Sequence, residues 1–176
     1  MNQLVDVDYV KTVTDLNPQK KTKDFDRFIR AAQIEDLRPL LKDRLFFDLL
    51  KDASATANGS YPNLVDSYDY TWSGDTYSHF GLKMVLAHFA YARYRYAGQE
   101  QDTALGTQYL EGQNMTRPSE SRNQGMYQYH RNLAFSSWET VKKFLDRNSD
   151  EYTLWNGSEA VPEEYGGVVL NRVSVR

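Results

Sequence analysis

Three histidines, His79, His88 and His130, are the only imidazoles in the chain, and they are the first residues to weigh for proton transfer or metal binding near neutral pH. No two of them stand four residues apart, so the helical two-histidine metal pattern is absent. His79 precedes Phe80 and His88 precedes Phe89, a setting that reads as packed or surface side chains rather than ligands. Asp66, Asp69 and Asp75 crowd into one stretch without the alternating register and glycine of a calcium loop, and read as solvated loop acids. Gly98, Gly106 and Gly112 do not form a dinucleotide fingerprint, no phosphate-cradling loop with its lysine occurs, and no serine stands in a nucleophile elbow. Among 24 acidic residues a carboxylate pair can always be drawn, but nothing singles one out. The expectation is a protein with no catalytic, cofactor-binding or metal-binding residues. Tyr91, Tyr94 and Tyr96, interleaved with Arg93 and Arg95, have the residue types that stack nucleobases. At a net charge of -3 they read better as a packing or protein-contact surface.

The elements that would position these residues are mainly helical. Asp36 stands ahead of Pro39, which costs nothing in a first turn, and Leu41, Leu45 and Leu49 follow at helical spacing, predicting a helix from Asp36 to Lys51. Leu82, Val85, Leu86 and Phe89 put one apolar face on a second helix from Gly81 to Tyr96, whose last turn is basic and aromatic. Phe25, Phe28, Ile29 and Ala32 mark an earlier helix from about Asp24 to Gln33. The last begins near Ser121, where Gln124 completes a capping box, and carries Met126, Tyr129, Leu133, Val141, Phe144 and Leu145 to about Asn148.

Between the middle helices, Tyr68, Tyr70 and Trp72 alternate up to Ser73-Gly74-Asp75 and the pattern resumes with Thr76 and Tyr77, predicting a β-hairpin over 68–78. Its aromatic residues exceed what a two-stranded ribbon can bury on itself, so Tyr70, Trp72 and Tyr77 are candidate protein-interface residues, with Trp72 the preferred anchor. Thr107 to Leu110 and Asn114 to Thr116 could pair across Glu111-Gly112. Residues 1–19 alternate weakly and end in Asn17-Pro18, which favours an extended arm outside the core. After a loop from Asp150 to Glu164, residues Val168 to Val175 read as a strand that pairs inside the fold or is donated to a neighbouring chain. Val168, Leu170, Val173 and Val175 are its candidate interface residues.

The chain has 176 residues, 40% of them hydrophobic and 26% charged, one domain's worth able to bury a substantial core. Thirteen tyrosines are many, and suit interfaces as well as cores. The absence of cysteine excludes disulfides, thiol nucleophiles and cysteine-bound zinc. Acids at Asp6 and Asp8 replace the basic start of a secretory signal, so none is expected, and the glycosylation-like matches at Asn58, Asn114 and Asn156 read as chance. No apolar run approaches the roughly 20 residues a bilayer span needs, and no membrane partner is expected.

In order and spacing, three segments resemble the head-tail connector (adaptor or head-completion) proteins of tailed bacteriophages, in particular those of phages of Bacteroidetes hosts such as the crAss-like phages. They are Phe25 to Gln33, Asp36-Leu37-Arg38-Pro39-Leu40-Leu41 with Phe46-Phe47-Asp48-Leu49-Leu50, and Gly81-Leu82-Lys83 leading into Ala90-Tyr91-Ala92-Arg93-Tyr94. The resemblance covers about 20 to 100, and the last helix agrees in length and place. It implies a mainly α fold, a small helical bundle with a long C-terminal helix and a β-hairpin insertion, to which this chain adds extended terminal arms. The chain is accordingly expected to divide into an N-terminal extended arm over 1–19, a helical connector domain over 20–149 and a C-terminal tail with a terminal strand over 150–176; both arms lie outside the resemblance, and the long tail departs from simple connectors. The resemblance further implies a structural virion protein, made in the host cytoplasm and placed at the neck, forming a ring, typically dodecameric, below the portal. The partners implied are the portal protein, neighbouring copies of the chain, tail or further neck proteins, and DNA passing non-specifically through the lumen. A different neck or tail-completion protein is the nearest alternative, and an enzyme or DNA-binding accessory protein a more distant one.

Overall fold

A computed structural model of the chain describes residues 2–18, 22–52, 61–97, 100–103, 106–109 and 120–155. It is mainly helical, built around a long C-terminal helix, with a small antiparallel hairpin inserted between helices. One continuous core runs from Leu4 to Trp155.

The N-terminal segment departs from expectation. It is not an extended arm: residues Val7–Val13 form helix α1, and Leu4, Val5, Val7, Val10 and Leu16 are buried in the main core. The weak alternation of Val5, Val7 and Tyr9 suggested an extended arm, but Val7 and Val10 are also three apart, one face of a helix. A cap settles the competition, because the Asp6 side chain accepts a 2.7 Å hydrogen bond from the Tyr9 amide. The segment is tied down by buried Gln33, whose Oε1 accepts from the Leu4 amide at 3.0 Å and whose Nε2 donates to the Asn2 carbonyl at 2.9 Å.

Helix α2 (Thr22–Ala32) buries Phe25, Phe28, Ile29 and Ala32, the face its spacing dictates. It does not stop there. A π-helical turn over Gln33–Leu37 carries it into α3 (Arg38–Leu41), and the break comes at Lys42, with φ 63°, before α4 (Asp43–Asp52). Asp36 is therefore not a helix cap but a residue of the widened turn. Pro39 supplies the physical reason: its ring would crowd the carbonyl four residues back, and a π turn immediately before it opens the coil.

A short helix α5 (Pro62–Val65) leads into β1 (Tyr68–Trp72) and β2 (Asp75–His79), paired with Tyr70 opposite Tyr77. Ser73 and Gly74 both have positive φ, the requirement of the two-residue turn that matches strand twist. Gly81 then opens α6 (Gly81–Ala97) at φ 77°; a Cβ there would lie 2.4 Å from the Asp66 carbonyl carbon. This helix is the axis of the bundle. Its apolar face was expected to be one-sided, yet every residue from Val85 to Ala92 is buried, with Ala87, Ala90 and Ala92 small enough to admit neighbours closely.

Beyond α6, strand β3 (Glu100–Thr103) pairs with β4 (Gly106–Tyr109). Thr107 to Tyr109 is thus extended, but its partner precedes it, and the expected partner Asn114 to Thr116 lies outside the described residues. Helix α7 (Glu120–Arg147) has 28 residues, a rod of roughly 40 Å packed along α6. The tail does not leave the fold at 150: Tyr152 and Trp155 are buried, Trp155 meeting Trp138 edge-on at 6.0 Å and donating from Nε1 to Asp146 Oδ1 at 2.7 Å. The division at 19 and 149 accordingly cuts through the core at both ends.

Candidate functional site

The hairpin brings three of the expected interface residues onto one of its faces. Tyr68, Tyr70 and Trp72 alternate along β1, and the register sets Tyr77 and His79 beside Tyr70 and Tyr68. The root of this face is closed by α7: Tyr70 meets Phe144 edge-on at 4.9 Å and His79 lies 4.4 Å from the same ring. Arg147, in the last turn of α7, reaches under the tip, its guanidinium 3.9 Å from the Tyr77 centroid and 4.6 Å from that of Trp72, while donating to the Tyr70 hydroxyl at 3.0 Å. A guanidinium among three aromatic rings fixes the angle at which the hairpin leaves the bundle. Tyr70 is buried and Tyr77 half-buried, so both serve the fold first, whereas Trp72 keeps 43% of its surface exposed. Tyr68 and Phe80, at the root of the hairpin, are also exposed. Val168, Leu170, Val173 and Val175 lie outside the described residues.

The tyrosine and arginine stripe on α6 is largely consumed by packing. Tyr91 is buried, and Tyr94 lies 5.3 Å from Phe25 and 5.6 Å from Phe28. Arg93 turns to the π turn, donating from Nε to Asp36 Oδ2 at 2.6 Å and pairing with Glu35. Arg131 of α7 donates to the other Asp36 oxygen at 3.0 Å and lies against Phe89, Tyr127 and Phe135. One carboxylate, its side chain 6% exposed, thereby joins the α2–α3 segment, α6 and α7. Widened helical turns often mark functional positions; here the turn serves as a structural tie. Neither this cluster nor Arg147 was legible as a site in the sequence, since their partners lie far away along the chain.

His88 and His130, far apart in sequence, meet across the α6–α7 seam with their Nδ1 atoms 3.3 Å apart. A metal-bound imidazole ordinarily donates its outer N–H to a carboxylate or carbonyl. His130 Nε2 is buried without a hydrogen-bond partner, so the pair does not have the form of a ligand set. Among the described residues no group of three or more His, Cys, Asp or Glu is placed to hold a metal ion. Burial lowers the pKa of His79 and of His88. It lowers that of His130 to about 4, helped by His88. The three histidines are packed side chains that stay neutral near pH 7.

Among the described residues no helix is long and apolar enough to cross a membrane. No curated protein and no solved structure matches the chain. A family model does match it, over residues 37–164, which takes in α3, α4, the hairpin, α6 and α7. On that match the chain belongs to DUF6712, a family of unknown function.

Proposed function

We propose that this chain is a structural protein of a tailed-bacteriophage particle, one subunit of a ring that sits below the portal, joins capsid to tail and continues the DNA channel. Its work is contact rather than catalysis. The observation that carries this reading is the aromatic hairpin held at a set angle: Tyr70 and His79 lock its root to Phe144, Arg147 braces its tip, and Trp72 stands outward at 43% exposure. A ribbon fixed to a rigid helical body presents its outer aromatic residues in one orientation, which is what a head-to-tail contact repeated around a closed ring requires. Tryptophan and tyrosine are also the residues enriched at the centres of protein interfaces. The order of motifs from Phe25 to Tyr94 supports the same reading through its resemblance to head-tail connectors.

The partners that follow are neighbouring copies of the chain, the portal protein above, and tail or further neck proteins below, with DNA passing through unread. Val168, Leu170, Val173 and Val175 belong to the proposed interface on the strength of the valine-rich, strand-like sequence from Val168 to Val175. Mixing the purified chain with the portal of the phage that encodes it, followed by electron microscopy, tests the proposal. Density for a ring of this protein seated on the portal is expected; failure of the two to associate would overturn it.

A further inference from the structure

His88 sits in the middle of α6 and His130 a third of the way along α7, and each is nearly sealed from water, at 8% and 3% exposure. Their rings lie 5.5 Å apart at an interplanar angle of 30°, with Nδ1 facing Nδ1 at 3.3 Å. Two neutral imidazoles in this arrangement can satisfy each other in only one way, with one Nδ1 donating and the other accepting. His130 Nε2 is buried with no partner, and a buried orphan donor is rarer than a buried orphan acceptor. His130 therefore carries its proton on Nδ1 and donates to His88 Nδ1, and His88 carries its own on Nε2. Tyr91 caps His130 edge-on at 4.5 Å, and Tyr129 lies edge-on at 5.1 Å.

The position of the pair along α7 gives it a mechanical role. From 121 to 129 every residue of this helix is exposed or half-buried, and His130 is the first buried one. The apolar anchors Ala134, Trp138, Val141, Phe144 and Leu145 all come after it. Ahead of it α7 meets α6 through Tyr127, 5.4 Å from the exposed Tyr96 ring, so the histidine contact is the first buried tie between the early turns of α7 and α6, while the remainder is held by core packing.

The geometry points to a protonation latch: the His88–His130 hydrogen bond holds the first turns of α7 against α6, and uptake of a proton by either ring releases them. A proton entering at His88 Nδ1 takes the lone pair that accepts the bond, leaving two N–H groups facing each other. One entering at His130 Nε2 places a cation in a site closed to water. The surrounding charges do not rescue either form. Burial and the neighbouring His88 depress protonation of His130, Arg95 of α6 adds to them, and only Asp15, after α1, opposes. Both rings have their pKa lowered in the folded state, so the latch is closed above the ordinary histidine pKa of about 6.5 and opens as pH falls below it. This device is independent of how many copies assemble.

Amide hydrogen exchange, corrected for its intrinsic pH dependence, tests it at pH 7.5 and pH 5.0, on either side of the histidine pKa of about 6.5. Protection of residues 121–133 is expected to fall about tenfold or more relative to 138–145 at the lower pH. The double variant His88→Gln/His130→Phe should lose that pH dependence. Equal protection at both pH values, or the same acid loss in the variant, would overturn the proposal. Should the variant not fold, ring-nitrogen NMR of the unaltered protein decides: at pH near 6 one neutral ring protonated at Nδ1 and one at Nε2 are expected. A cationic ring, or two Nε2–H tautomers, would refute the latch.

Discussion

Replacing Asp36 by asparagine keeps the shape of the side chain and removes the charge on which three segments converge. The carboxylate is 6% exposed and accepts from Arg93 Nε at 2.6 Å and Arg131 at 3.0 Å. Hydrogen bonds to charged groups contribute roughly 1.5–3 kcal/mol each, and loss of one member of a fully buried ion pair costs roughly 3–5 kcal/mol. Three features reduce that cost here. The two arginines are about a quarter exposed and recover some hydration, Arg93 keeps Glu35, and the asparagine oxygen still accepts one bond. A net loss of about 2–3 kcal/mol results, which for a chain of this size lowers Tm by roughly 5–10 °C. Urea unfolding followed by far-UV circular dichroism measures it. Because the carboxylate is shielded from solvent, the loss should persist at 1 M salt, where the screening length is about 3 Å. The exposed Lys11–Asp8 pair, with Asp8 83% exposed, provides the contrast: breaking it should cost less than about 1 kcal/mol. A loss below about 1 kcal/mol for Asp36→Asn, or one that vanishes in high salt, would refute the view that this cluster ties the bundle together.

Gly81→Ala should destabilise by about 2 kcal/mol or more, read by the same unfolding curve, because positive φ alone costs a side-chain-bearing residue roughly 1–2 kcal/mol and the new Cβ meets the backbone of Asp66; an unchanged midpoint would contradict the close approach of α5 and α6. Trp72→Ala should weaken assembly measured by light scattering far more than Asp75→Ala, while leaving monomer stability within about 1 kcal/mol, since Trp72 is 43% exposed; equal assembly by both variants would remove Trp72 as an anchor. The isolated protein, at net charge -3, should show at most weak, sequence-independent retention of DNA in a gel shift at about 0.15 M salt; sub-micromolar, sequence-dependent binding would contradict the structural reading.

The elements that could be read in advance are those whose signals are local. The hairpin follows from Ser73-Gly74 between alternating aromatic residues, and α7 from a capping box and a long periodic apolar face, so their bounds differ from expectation by one residue or so. Helix α1 was missed because a seven-residue segment is too short to separate a period of two from one of 3.6, and the Asp6 cap carries the decision. Asp36 was read as a cap because its true partners, Arg93 and Arg131, stand 57 and 95 residues away. The histidine pair is hidden for the same reason, being 42 residues apart on two helices whose relative rotation no local pattern encodes. Trp155 looked like part of a tail, since nothing in its neighbourhood announces Trp138 as its partner. Of the candidate interface, the choice of Tyr70, Trp72 and Tyr77 as one face was legible from strand alternation; Arg147 beneath them was not.

The central claim is that the chain closes into a ring that seats on a portal. The most direct measurement is the mass of the purified full chain by native mass spectrometry, alone and with the portal. The account predicts a discrete cyclic oligomer of this chain bound to the portal, with one fixed subunit number. A chain that stays monomeric and leaves the portal mass unchanged would contradict it.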